Sequence, residues 1–172
     1  MLALPEKKHK AYRAANEKCF AQAVKSAVGK RVTSQDDYYR QFNAALKKLT
    51  TRELDSDRGL AKVGESFGTC LKEKDYEVPS AKPSALAERG REAFMQARTD
   101  VAKERGVKVP AKAKGRKVHL IPSIKPEEAK PYLDKEITAA LDDLACGKEF
   151  SAAYSPRAWK LHQQVAADFG RA

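Results

Sequence analysis

The sequence predicts an all-α protein: an antiparallel three-helix bundle over residues 5–75, followed by an extended, proline-interrupted helical tail over 76–172. Apolar residues recur every three or four positions in successive segments, the spacing that gathers side chains on one helical face. Those segments are bounded by capping residues, prolines and glycines, which start and stop helices for identifiable steric reasons. The one hint of a strand is Val118 to Ile121.

Pro5 to Gly29 reads as the first helix. Proline suits a first helical position, where a backbone N–H has no partner to lose, and glycine suits the left-handed residue beyond the end. Its face is expected to be Tyr12, Ala15, Cys19, Ala23 and Ala27, small enough to admit a close neighbour. Around it stand Lys7, Lys8, Lys10, Arg13, Lys18 and Lys25 against Glu6 and Glu17. Such charge is either the solvated outer face of a core helix or a docking surface.

Ser34 is placed to cap a second helix, with Asp37 three residues on, and Tyr38, Phe42, Ala45, Leu46 and Leu49 form its apolar stripe to about Leu49. Arg40, Lys47 and Lys48 continue the positive zone on its other sides. Asp55 or Ser56 caps a third helix ending near Lys74, with Leu60, Val63, Phe67, Cys70 and Leu71 inward. Glycine costs a helix roughly 1 kcal/mol relative to alanine, so Gly64 and Gly68, on one side, imply a close helix neighbour or a ligand crevice. Three helices with short connections fold back on one another to bury their stripes.

Pro79 and Pro83 then mark an extended departure. Ser84 begins a fourth helix with Leu86, Gly90, Ala93, Phe94, Ala97 and Val101 on one face, ending at Gly106. The 105–126 segment is a basic linker carrying Arg105, Lys108, Lys112, Lys114, Arg116, Lys117 and Lys125, and its prolines forbid a regular helix. Pro131, or Pro126 with a kink, opens a fifth helix with Leu133, Ile137, Ala140, Leu141 and Leu144 inward. Ser155–Pro156 opens the last, where Trp159, His162, Val165 and Phe169 share a face.

The formal charge of +11 is unevenly placed, with +7 in residues 1–50 and +7 in 76–126. Two basic zones point to acidic partners, whether protein, nucleic acid or lipid head groups. No run approaches the roughly 20 apolar residues of a membrane span, so the chain is expected to be soluble or peripheral. It has no secretory leader pattern, which leaves an internal address or a processed precursor. Cys19, Cys70 and Cys146 are far apart and odd in number, so three reduced thiols are expected, with Cys19 buried. His9, His119 and His162 are too scattered to suggest zinc. Phosphate-binding, zincin and nucleophile-elbow motifs are absent, and the adjacent carboxylates Asp36/Asp37, Glu127/Glu128 and Asp142/Asp143 do not face one another on a helix. A non-catalytic role without a cofactor of its own is expected.

Ala11-Tyr12-Arg13 in the first helix, with Phe42 in the YYRQFNAAL stretch of the second, resembles the LYR-motif family of small three-helix mitochondrial proteins. Tyr12 and Arg13 match that family's triplet, and Ala11 stands where the family has leucine. The helix order also fits, and the layout is most similar to that of a respiratory complex I accessory subunit with a long extension. The resemblance implies a mitochondrial accessory or scaffold subunit, on the matrix side or peripheral to the inner membrane. It would dock an acidic acyl carrier protein whose acyl-phosphopantetheine enters between the three helices. Lys8, Lys10, Arg13, Arg40, Lys47 and Lys48 would then complement the acidic partner, with Tyr12 and Phe42 at the channel mouth. Ala15, Cys19, Ala23, Gly64 and Gly68 would make room for the alkyl chain. The alternatives are a basic RNA-binding or mitochondrial ribosomal protein, which would use the 105–125 segment and the first helix on phosphates, and an ATP synthase accessory subunit.

Overall fold

The computed structural model describes residues 5–108 and 119–171, apart from the side chain of Lys7. Six helices follow one another: α1 (Glu6–Val28), α2 (Gln35–Leu54), α3 (Arg58–Glu73), α4 (Pro83–Glu104), α5 (Pro126–Cys146) and α6 (Lys148–Asp168). There is no strand among the described residues. Val118 and most of the basic linker, Lys112, Lys114, Arg116 and Lys117 included, lie outside them. No helix among the described residues is long and apolar enough to cross a membrane.

The chain divides into two compact units. The first contains residues up to Leu54 and Ser155–Ala172, hence α1, α2 and most of α6; the second is Asp55–Tyr154, with α3, α4, α5 and the first turns of α6. The compact grouping therefore differs from a bundle of the first three helices, because α3 packs with α4 and α5. Leu71 and Leu60 are almost fully buried within that second group, and a helix goes with whatever covers its apolar stripe.

In the first unit, Gly29 takes φ +70°, the left-handed conformation expected just past α1. The Asp37 N–H donates to Ser34 Oγ at 3.1 Å, and Asp37 Oδ2 accepts from the Thr33 N–H at 2.9 Å, closing the start of α2. The core joins Val24, Val32, Tyr38, Phe42, Val165, Ala166 and Phe169. Its rings meet edge to face, Phe42 on Phe169 at 5.4 Å and Phe20 on Tyr38 at 5.7 Å. Tyr38 Oη donates to the buried Phe169 carbonyl at 2.7 Å, which satisfies the one polar atom that this ring brings inside.

The inward face of α1 differs from expectation. Val24 is buried and Phe20, Ala21 and Val28 are partly buried against the core, whereas Tyr12, Ala15, Cys19, Ala23 and Ala27 are exposed. Phe20, Val24 and Val28 are also four apart, and each removes more apolar area from water than an alanine, so they decide which way the helix turns.

In the second unit, Asp57 caps α3 by accepting from the Leu60 N–H at 2.9 Å. Phe67, Leu71, Leu86 and Phe150 form the core, with Phe67 stacked on Phe150 at 5.3 Å and Phe150 on Tyr154 at 5.2 Å. Those stacks explain why α6 begins at Lys148 and carries Pro156 inside it, where a new helix was expected at Ser155. Cys70 and Cys146 are joined by a disulfide that ties α3 to the end of α5, so the expectation of three reduced thiols fails. Cys19 is the free cysteine, and it is exposed, not buried.

The fifth helix is also turned round. Leu133, Ile137, Leu141 and Leu144, expected inward, are 54%, 49%, 61% and 69% exposed, while Ala139 is buried. The inward side is held by polar groups. Tyr76 Oη and Lys74 Nζ each reach Asp142 at 2.8 Å, and buried Arg89 pairs with Asp143. Gly90 permits that last contact, since a Cβ there would stand 2.6 Å from Asp143 Oδ2.

Candidate functional site

Charge is divided unevenly between the units. The first holds 15 Lys/Arg against 6 Asp/Glu, or +9, and the second 19 against 17, or +2. In the second unit, cations of the expected second basic zone meet acids: Arg91 with Glu88, Lys103 with Asp100, and Arg105 with Glu128. Those three are paired locally, and most of the linker's cations lie outside the described residues. The larger net charge is in the first unit.

Every described side chain from Lys8 to Cys19 is exposed. Along this half of α1, Lys10 pairs with Glu6 at 3.2 Å, while Lys8, Arg13 and Lys18 make no ion pair among the described residues. Tyr12 sits among them, 67% exposed. Such a segment satisfies its backbone internally but is exposed throughout among the described residues, and an isolated helix shorter than roughly 12–15 residues is marginal in water. Further along, Lys18, Lys25 and Arg31 surround an open groove of about 270 Å³ floored by Ala21 and Val32. An anionic group entering it would meet three cations over an apolar floor, an arrangement suited to a carboxylate- or phosphate-bearing surface.

On α2, Lys47 and Lys48 are exposed. Arg40 is exposed but engaged: its guanidinium meets Asp37 Oδ1 at 2.9 Å. The Thr33 backbone N–H and then this arginine hold the Asp37 carboxyl below its ordinary range, so it stays ionised and closes the helix start. Arg40 therefore has a structural duty beside any docking role. Phe42 is 3% exposed, T-stacked on His162 and Phe169, with Arg171 over its ring. It is core, not the mouth of a channel.

The residues expected to line an acyl channel fall in different units. Ala15, Cys19 and Ala23 are exposed on α1. Gly64 and Gly68 are buried on α3, where an added Cβ at Gly64 would meet Leu86 at 3.1 Å and one at Gly68 would meet Val78 at 3.5 Å. Their small size serves the approach of α4 and of the segment before it, the helix-packing reading of glycine in a helix. Sequence reasoning missed Arg31 and the groove, whose signal was only a cation next to the apolar Val32 in the α1–α2 connection. It also missed the outward stripe of α5.

Among the described residues no cluster of His, Cys, Asp or Glu could hold a metal ion. Comparisons of the chain with family models, with curated proteins and with solved structures found no match.

Proposed function

We propose that this chain is a non-catalytic docking subunit of a larger assembly, which engages an acidic partner through the exposed cations of α1 and α2. The observation that carries this reading is the first half of α1: Lys8, Arg13 and Lys18 without an ion pair among the described residues, around an exposed tyrosine, on the part of the helix that precedes its packed residues Phe20, Val24 and Val28. Lys10, Lys47 and Lys48 widen the positive surface, and such complementarity chiefly steers encounter and fixes orientation. The resemblance in Ala11-Tyr12-Arg13 names a candidate for that partner, an acyl carrier protein in a mitochondrial assembly of the complex I kind.

Support is uneven between the parts of that proposal. Docking by charge has the exposed cations behind it; insertion of an acyl-phosphopantetheine has only the resemblance, since Gly64 and Gly68 are filled by their own neighbours. The Cys70–Cys146 bridge fits an oxidising compartment.

Native mass spectrometry of the chain purified from its source, beside an Arg13→Glu, Lys18→Glu variant, tests the reading. A stoichiometric acidic protein partner, lost in the variant, supports docking, and an acyl-phosphopantetheine mass on that partner supports the carrier. Recovery with RNA transfers the basic face to the nucleic-acid alternative. A partner retained by the variant overturns the role of α1.

A further inference from the structure

Within the first unit, α2, α6 and Arg171 just beyond it carry a strip of planar groups. Trp159 and His162, three apart on α6, share a helix side and lie face to face, with ring centres 5.4 Å apart and planes 4° from parallel. His162 meets the ring of Phe42 edge to face at 5.6 Å. The Arg171 guanidinium stands over that same ring at 5.0 Å and 5.4 Å from the ring of Tyr39. Phe42 is buried and forms the base of the strip, while Trp159 and Tyr39, which end this series of contacts, are 61% and 41% exposed. His162 covers one face of Trp159, so an exposure that large leaves the other face of the indole in water. Arg171 makes no ion pair among the described residues, with Asp168 or any other acid. Lys30, which stands 4.1 Å from the ring of Phe169 beside Phe42, makes none either.

We propose that this strip binds single-stranded nucleic acid, with bases stacked on Trp159 and Tyr39 and a backbone phosphate held by Arg171. Two properties of the strip select that ligand together. An indole backed by an imidazole is a flat and firm platform, and any nucleobase can cover it, because every base has a π-face. An arginine without an acid partner keeps its charge, and its forked donors fit the oxygens of a phosphate. The net charge of +9 on this unit adds a field that draws a polyanion in. An acidic protein surface would use that charge but leave the two aromatic faces bare. A duplex keeps its base faces in its own stack, so the single strand is the occupant that satisfies both. The site goes beyond the docking surface proposed for α1, since it shares no residue with the exposed half of that helix.

Trp159 is the only tryptophan of the chain, so its fluorescence reports on the platform itself. Titration of the full chain with a single-stranded oligonucleotide of about ten nucleotides should quench that fluorescence. Quenching by the RNA or the DNA form supports the proposal, and the tighter of the two names the strand. An abasic strand of the same length, which keeps every phosphate, should leave the fluorescence unchanged and bind at least about tenfold more weakly. Trp159→Ala should weaken the intact strand by about tenfold without altering its salt dependence, whereas Arg171→Gln should lower the slope of log affinity against log salt by about 0.7. Both positions are exposed, and circular dichroism checks that the helices persist. Equal binding of the abasic and intact strands, or binding indifferent to Trp159→Ala, overturns the proposal. So does a glutamate peptide that quenches Trp159 as strongly, or a duplex that binds as tightly, since an acidic protein or a paired helix would then be the occupant. Arg13 and Lys18 are unchanged in every arm, and a strand held by α1 alone would be indifferent to Trp159→Ala, so this result is separable from docking by α1.

Discussion

In the first unit Phe42 meets Phe169 at 5.4 Å and Tyr38 meets Phe169 at 5.5 Å, and these rings, with Val24 and Val165, are the core that α1, α2 and α6 share. In the second unit α3 and α4 share an apolar core, but α5 contributes to it little more than Ala139 and the half-buried Cys146. That helix is fastened by a disulfide, by Asp142 between Tyr76 and Lys74, and by Asp143 on Arg89. Apolar contact is non-directional and lets a helix settle with its greasiest face inward. A covalent bond and an ion pair are directional, and they can hold an apolar face outward. The difference teaches how the second unit can hold four aliphatic side chains outward along one helix.

Breaking the directional set should have the largest effect. The bridge closes a loop of 76 residues, so the chain-entropy treatment gives it roughly 4–5 kcal/mol. Cys146→Ser, or reductant added to the native chain, should raise amide exchange in α5 and α3 far more than in α1 and α2, as read by hydrogen exchange resolved helix by helix. Equal loss of protection in both units would mean that the bridge does not act locally, and the contrast would fall. Next comes Phe42→Ala, which deletes the ring shared by His162 and Phe169 and should cost about 3–5 kcal/mol, with the loss concentrated in α1, α2 and the end of α6. A mild effect there would argue that the aromatic cluster is loosely packed and that docking, not the core, orders α1.

The same contrast decides what could be read from the chain beforehand. Helix ends were legible where one residue carries the stop, as at Pro5, Ser34 and Gly29, because capping is local chemistry. The stripe of α2 was legible because Tyr38 and Phe42 are large and regularly spaced. The face of α1 was misread by following small residues, although Phe20, Val24 and Val28 carried the larger apolar area. The face of α5 could not have been read from its own pattern at all, since the partners that turn it, Cys70, Lys74, Tyr76 and Arg89, lie more than fifty residues away. Of the candidate docking residues, the exposed lysines were legible because charge prefers water wherever the helix turns, whereas Phe42 follows its neighbours inward.

The finest separation of the two units is by acid. Asp142 is held below the ordinary carboxylate range, first by its contact with Lys74 and then by the Tyr76 hydroxyl; Asp37 in the first unit is lowered by the Thr33 N–H and Arg40. A carboxyl whose folded pKa is depressed binds fewer protons folded than unfolded, so its contribution is complete above the unfolded value near 3.8 and is lost as pH falls through the lower folded value. Both units should therefore weaken below about pH 4, through different residues. Asp142→Asn should flatten the acid response of α5 and leave that of α2, and Asp37→Asn should do the reverse, measured as exchange protection in each helix from pH 5 downward. Tyr76 gives the opposite limb. Its hydroxyl is raised above the usual tyrosine value because the Asp142 carboxylate accepts its proton in a hydrogen bond, so its contribution persists at neutral pH and fails only as alkali approaches the raised value. If Asp142→Asn leaves the acid limb of α5 unchanged while reduction of the disulfide loosens it, the bridge alone holds the leucines outward, and the carboxylate is an accompaniment to it.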